Sequence, residues 1–118
     1  MFNFEKLDVW HKAIEHADEV YTITRAFPDD ERFGLTSRVR RAAVSIPSNI
    51  AEGTSRHSRD EYAHFLEIAT DSLFEVVSQA TVSKRQGFLS ETDYKRLYQA
   101  AEIQCRMFSG LRKSLGFS

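Results

Sequence analysis

The stretch SRDEYAHFLEIATDSLFEVVSQATVSKRQG, residues 58–87, decides the fold class. It opens on Ser58-Arg59-Asp60-Glu61, a capping box in which the Ser58 hydroxyl and the Glu61 carboxylate each accept from the other's backbone N–H. Tyr62, Leu66, Ala69, Leu73, Val76 and Ala80 follow at alternating steps of four and three, the repeat of one helical face. Phe65, Ile68 and Val77 widen that stripe, so this helix must touch more than one neighbour. Gly87 closes it after roughly 28 residues, or about 42 Å at 1.5 Å per residue.

A helix of that length needs partners, and the flanking sequence supplies three. The first reads from about Asp8, as N-cap, to Ala26, with Trp10, Ala13, Ile14, Ala17, Val20, Tyr21 and Thr24 on one face and Phe27-Pro28 as its stop. Thr36 is the expected cap of the second, which carries Leu35, Val39, Ala42, Ala43, Ile46 and Ile50 and ends at Gly53 as a C′ glycine. Ser90 caps the last, with Tyr94, Tyr98, Ala101, Cys105, Phe108 and Leu115 on its stripe and Leu97 and Leu111 beside it. Pro47 interrupts the second helix. It removes one backbone donor and crowds the Ala43 carbonyl, so a kink or restart is expected near Ser45, with Ser45 and Ser48 bonding back to freed carbonyls. No period-two strand pattern competes, and short connections make sequential helices neighbours. The expectation is a single all-α domain over residues 1–118, a left-handed antiparallel up-down-up-down four-helix bundle kinked at Pro47.

Composition excludes several function classes. The 118 residues are 42% hydrophobic and 28% charged, with a formal charge of −1, which argues against a polybasic, histone-like mode as the whole story. Cys105 is the only cysteine, so no internal disulfide can form. No apolar run approaches the roughly 18 residues of a membrane span, and the N-terminus has no signal-peptide pattern, so a cytoplasmic protein without a membrane partner is expected. A di-iron bundle needs two Glu-x-x-His pairs, and the chain offers one, Glu61 to His64; the face that His64 shares with Asp60, Glu67 and Asp71 reads as a solvated salt-bridge surface. His11, His16 and His57 lack ligand spacing. Cys105 reads as a small core hydrophobe. Gly-rich phosphate loops, nucleophile elbows and His-Glu-x-x-His helices are absent, so no metal, cofactor or catalytic activity is expected.

Charge is segregated along the chain. Residues 1–31 carry −5, 32–59 carry +5, 60–80 carry −5 and 81–118 carry +4. The basic block is all arginine: Arg32, Arg38, Arg40, Arg41, Arg56 and Arg59. One reading pairs it with Glu67, Asp71 and Glu75, an i, i+4 stripe on the third helix. A second makes it a phosphate-tracking site, suited to guanidinium forks, in which Arg38, Arg40, Arg41, Arg56 and Arg59 contact RNA or DNA. A third sets the opposed blocks against each other between subunits. Within this region Arg41, Ser45, Asn49 and Glu52 recur on a similar face about the proline, and they are expected to form a structural polar network in which Glu52 compensates arginine charge.

The run Arg41-Ala42-Ala43-Val44-Ser45-Ile46-Pro47-Ser48-Asn49-Ile50-Ala51-Glu52-Gly53 carries a resemblance. With Phe4, Leu7, Trp10, Ala13 and Tyr21, then Phe27-Pro28, Glu31, Gly34 and Leu35, then Phe65, Ile68, Ala69, Ser72, Leu73 and Glu75, it resembles the four-helix bundle proteins encoded by intervening sequences of bacterial 23S rRNA genes. That family also includes small accessory proteins of diversity-generating retroelements. The resemblance implies an all-helical chain with no enzymatic activity that assembles into a homopentameric barrel. Its retroelement members look like nucleic-acid-binding partners of a reverse transcriptase, and those members are strongly basic. The expected role is an oligomeric scaffold or adaptor acting through protein contacts; the alternative is an RNA- or DNA-binding ring using the arginine-rich face of the second helix.

Overall fold

The computed structural model describes residues 1–117. Four helices carry it: α1 Asp8–Thr24, α2 Leu35–Thr54, α3 Arg59–Arg85 and α4 Glu91–Ser114, with short 3-10 turns at Asn3–Lys6 and Asp29–Glu31. No strand forms among the described residues. Each helix packs on its sequence neighbours and α1 returns to pack on α4, while the backbones of the diagonal pairs stay more than 8 Å apart, Cα to Cα. The bundle is thus a closed square in cross-section, 43 Å long and 21–23 Å across.

The caps explain where the helices begin and end. Ser58 accepts from Glu61 N–H at 3.1 Å, and Ser90 accepts from Asp93 N–H at 3.1 Å. At the far end of α3, Gly87 adopts a φ of +83°. There Gly87 N–H donates to the Lys84 carbonyl at 3.0 Å and Phe88 N–H to the Ser83 carbonyl at 2.9 Å, the reciprocal pair that retires two orphan acceptors. Gly116, at φ +96°, closes α4 the same way, with Phe117 N–H on the Arg112 carbonyl.

Three boundary expectations are corrected. Leu7, not Asp8, precedes α1, so Asp8 sits inside the first turn, where its charge opposes the positive helix end. Thr36 does not cap α2: Gly34 does, and Glu31 Oε1 reaches forward to accept from Leu35 N–H at 3.1 Å. Thr36 is instead buried. Gly53 is no C′ glycine, since α2 continues to Thr54. A Cβ there would lie 3.0 Å from Tyr62 Cδ1 and 3.1 Å from Phe65 Cβ, so Gly53 is the point where α2 meets α3 too closely for a side chain. Nor does the chain restart at Pro47. The ring is buried, α2 runs through it as one helix, and the Ser45 hydroxyl is turned toward α3.

The core is one cluster that draws on all four helices, with Ala13 and Val20 of α1, Ile46 and Ile50 of α2, Leu66, Leu73 and Val76 of α3, and Leu97 and Phe108 of α4. Two large polar side chains are buried beside it. His16 of α1 is 2% exposed and Gln104 of α4 is 1% exposed, and Gln104 Nε2 lies 2.6 Å from His16 Nδ1. Burial lowers the His16 pKa from 6.5 to about 4, because the imidazolium would lose its hydration.

Gly53→Ala gains helix propensity of about 1 kcal/mol but forces a methyl against Phe65 Cβ, which is anchored to the α3 backbone; overpacking of about 1–3 kcal/mol wins, and the urea midpoint falls. Gly110→Ala, with nothing within 4 Å of its Cβ, raises the midpoint in the same assay, a gain in stability of up to about 1 kcal/mol. His16 makes stability depend on pH with a definite sign. The unfolded chain takes up the proton near pH 6.5 and the folded chain only near 4, so acid favours unfolding through this window. Denaturation curves of the wild type lose about 1.4 kcal/mol per pH unit more than those of His16→Gln between those values, and match their slope above pH 7.

Candidate functional site

The polar face expected around Pro47 lies along the α2–α3 seam. Asn49, one turn beyond Ser45, turns its amide back: Nδ2 donates to the Ser45 carbonyl at 2.8 Å and to Ser45 Oγ at 3.0 Å. The Ser45 and Ser72 hydroxyls share a hydrogen bond of 2.9 Å across the seam. Ser72 is thus the member that sequence reasoning missed. The signal was its place four residues from Ile68 and one from Leu73, on the margin of the apolar stripe where a small hydroxyl can face a neighbouring helix.

Arg41 and Glu52 are not brought into that cluster. Arg41 is exposed and lines a polar groove of about 420 Å³ with Arg38, Ala42, Ser45, Ser72, Glu75 and Gln79. Glu52 is exposed too, 3.9 Å from Arg56 one turn on. The separation has a simple cause: eleven residues is three helical turns, about 16 Å of rise, too far for an Arg–Glu pair. Glu52 therefore compensates only a neighbouring surface charge.

The five arginines assigned to a common phosphate face divide among four places. Arg38 and Arg41 share the α2–α3 groove. Arg40 points the other way, where its Nε donates to Thr24 Oγ1 at 2.8 Å and its guanidinium lies 4.6 Å over the Tyr21 ring. Arg56 stacks on Phe65 at 4.5 Å, and Arg59 is exposed at the start of α3. The pairing of this block with the α3 acidic stripe does not form either. Among the described residues none of these arginines lies within 4 Å of Glu67, Asp71 or Glu75. Glu67 instead accepts from Arg112 of α4 at 2.8 Å, because its position on α3 faces the other seam.

Apolar surface is left open on two opposite sides of the square. Along α3–α4 a groove of about 660 Å³ is lined by Phe74, Val77, Val82, Tyr98, Ala101 and Cys105, with Glu102 and Arg106 at its edge. Phe74 is 58% exposed, Val82 47% and Tyr98 44%. Along α1–α2 a second groove of about 500 Å³ is lined by Trp10, Ile14, Tyr21, Val44 and Pro47, with Asp18 at its edge. Cys105, expected in the core, is half-buried on the first groove. Burial, and then Glu102, pushes its thiol pKa up, away from a nucleophile's range. His64 is exposed beside the Phe65 ring. Among the described residues no three His, Cys, Asp or Glu side chains cluster as a metal site, and no helix is long and apolar enough to cross a membrane.

The seam and the groove are separable by stability. Ser72→Ala strips a partner from the half-buried hydroxyl pair and lowers the urea-derived stability by about 1 kcal/mol, whereas Arg41→Ala and Glu52→Ala leave it within about 0.5 kcal/mol.

No curated protein matches the chain. Among solved structures it is similar to a protein of unknown function from the S23 ribosomal protein family of Bacteroides thetaiotaomicron, with a TM-score of 0.79 and 19% identity over 89% of this chain and 98% of that one. That likeness supports the fold. The sequence pattern of the 23S rRNA-intervening sequence proteins matches residues 5–110, the four helices nearly entire, and the chain belongs to that family.

Proposed function

We propose that this chain is a non-enzymatic scaffold or adaptor that works as a closed homo-oligomeric ring. The observation that carries this reading is the pair of unlike apolar grooves on opposite sides of the bundle, α3–α4 and α1–α2. Isolated exposed apolar residues need no explanation, but two contiguous grooves holding Phe74, Val82 and Tyr98 on one side and Ile14, Tyr21 and Val44 on the other exceed what a monomer gains from exposing. Because the two faces differ, a contact between one copy's α3–α4 groove and the next copy's α1–α2 face would run head to tail, and such contacts close into rings when the rotation permits. Asp18 on one edge and Arg106 on the other complement each other in that arrangement. Five subunits is the number that the family resemblance suggests.

Sedimentation equilibrium tests this directly. The wild type should run as a multiple of the 13.6 kDa chain, five for a pentamer, and a monomer at micromolar concentration overturns the proposal. Phe74→Glu and Val44→Glu should each dissociate the ring. Mixed together they should form a heterodimer, since each retains the face the other has lost; a two-fold, self-complementary interface would give no such rescue.

A second reading, an RNA- or DNA-binding ring, is favoured by one observation: Arg38 and Arg41 stand exposed in one groove with no carboxylate within 4 Å. Fluorescence anisotropy with single-stranded RNA and duplex DNA checks it. If phosphates are tracked, Arg38→Ala and Arg41→Ala each weaken binding across sequences and lower the salt slope by about one; affinity that ignores both substitutions removes this reading.

A further inference from the structure

A carboxylate stands in the groove where Arg38 and Arg41 would track phosphates. Glu75 lines it from the α3 side, and on a plain phosphate track it repels the group that the arginines attract. The register of the two walls is fixed by side-chain contacts. Gly53 approaches Tyr62 and Phe65 while Ser45 bonds Ser72, so residue numbers climb on α3 as they fall on α2. Arg41 is four residues from Ser45 and Glu75 three from Ser72, about 6 Å and about 4.5 Å further along the same direction, which sets them at one level on opposite walls. They do not pair. Among the described residues Glu75 lies within 4 Å of neither arginine, so a guanidinium and a carboxylate face one groove of about 420 Å³ with a gap between them.

Those two walls ask for a group with acceptors on one edge and donors on the next. Among the nucleobases guanine has both in forked form: O6 and N7 accept side by side, and N1–H and N2–H donate side by side. A guanidinium matches the first edge with two parallel N–H donors, and a carboxylate matches the second with its two oxygens. The other bases fit worse. Adenine sets its N1 acceptor against the carboxylate, uracil flanks its single N–H with two carbonyls, and cytosine offers one amino group where guanine offers a fork. A guanine in a duplex spends N1–H and N2–H on cytosine, so the base that fits is an unpaired one. Arg38, about one turn from Arg41 in the same groove, is left for a flanking phosphate. The volume falls within the range of small-ligand clefts, roughly 300–1,000 Å³.

From this arrangement we infer that the α2–α3 groove is a pocket for one unpaired guanine base, held between the Arg41 guanidinium and the Glu75 carboxylate. It rests on the nucleic-acid reading of the same groove and gives that reading a base preference, which phosphate contacts alone do not carry.

The test is fluorescence anisotropy of the full chain with labelled single-stranded oligo-uridine RNA carrying one central guanine, inosine, adenine or cytosine. The guanine probe should bind about tenfold tighter than the adenine and cytosine probes, and the inosine probe, which lacks the N2 amino group, should fall between. Glu75 is exposed, so Glu75→Gln keeps the fold. Its amide offers one acceptor where guanine needs two, and it should erase the preference without weakening the adenine probe. Arg41→Ala should cost the guanine probe more than the others, and Arg38→Ala should weaken all of them alike. Competition by free nucleotides separates the sources of the base: displacement by GMP and not by AMP assigns a free nucleotide, and a preference seen only in the strand assigns RNA, either of which supports the pocket. Salt-sensitive binding that ignores the central base, or a guanine preference that survives Glu75→Gln, overturns the pocket and leaves phosphate tracking in place. Failure to bind any RNA probe or GMP removes both.

Discussion

The close approach of α2 to α3 is the constraint on which the rest of the molecule depends. Ala42, Ala43 and Gly53 keep the α2 side of the seam narrow, so that Ile46 and Ile50 reach the core beside Leu66, Leu73 and Val76. A Cβ at Gly53 would already press on Tyr62 and Phe65. Small residues at a helix contact give up hydrophobic area at their own positions, but they let the larger neighbours interdigitate at interior packing density. Pro47 is tolerated on the same helix because its ring is itself buried, which returns apolar contact for the backbone hydrogen bond it cannot make.

That seam also decides which polar groups become structural. Ser45, Asn49 and Ser72 are short enough to satisfy one another at the margin of the core, whereas arginine and glutamate at the same seam reach past it into solvent. Arg40 shows the other outcome: its stem lies along α1 and its head finds Thr24 and the Tyr21 face, so a charge beside the core is held by a hydroxyl and a ring instead of a carboxylate. The surface ion pairs that do form, such as Glu67 with Arg112, are exposed and contribute little.

Closing the square leaves a surplus. A helix 27 residues long with apolar residues on several sides cannot bury all of them against two neighbours in a bundle 21–23 Å across. Phe74 and Val82 are what remains outside, and Ile14, Tyr21 and Val44 are their counterpart on the opposite side. The fourth seam, α1–α4, differs in carrying the buried polar pair His16 and Gln104.

How much of this was legible from the residues follows from the range of each interaction. Helix number and type, the Ser58 and Ser90 caps and the Gly87 stop depend on groups within five residues of one another, and the sequence by itself determined them. The family was legible for a similar reason, since its proline-containing run is a local pattern. The α2 boundary at Gly34 escaped because Glu31 supplies the cap that Thr36 was expected to give, a choice settled by how the connection folds. Gly53 reads alike as a terminator or as a contact point; only the position of α3 distinguishes them. His16 sits at helical spacing with Ala13 and Val20 and so could have been placed on the buried face, but its partner is 88 residues away. Which groups meet across a seam is a property of the packed helices, because a side chain's partner there is set by the rotation and height of another helix, and no spacing along the chain encodes either.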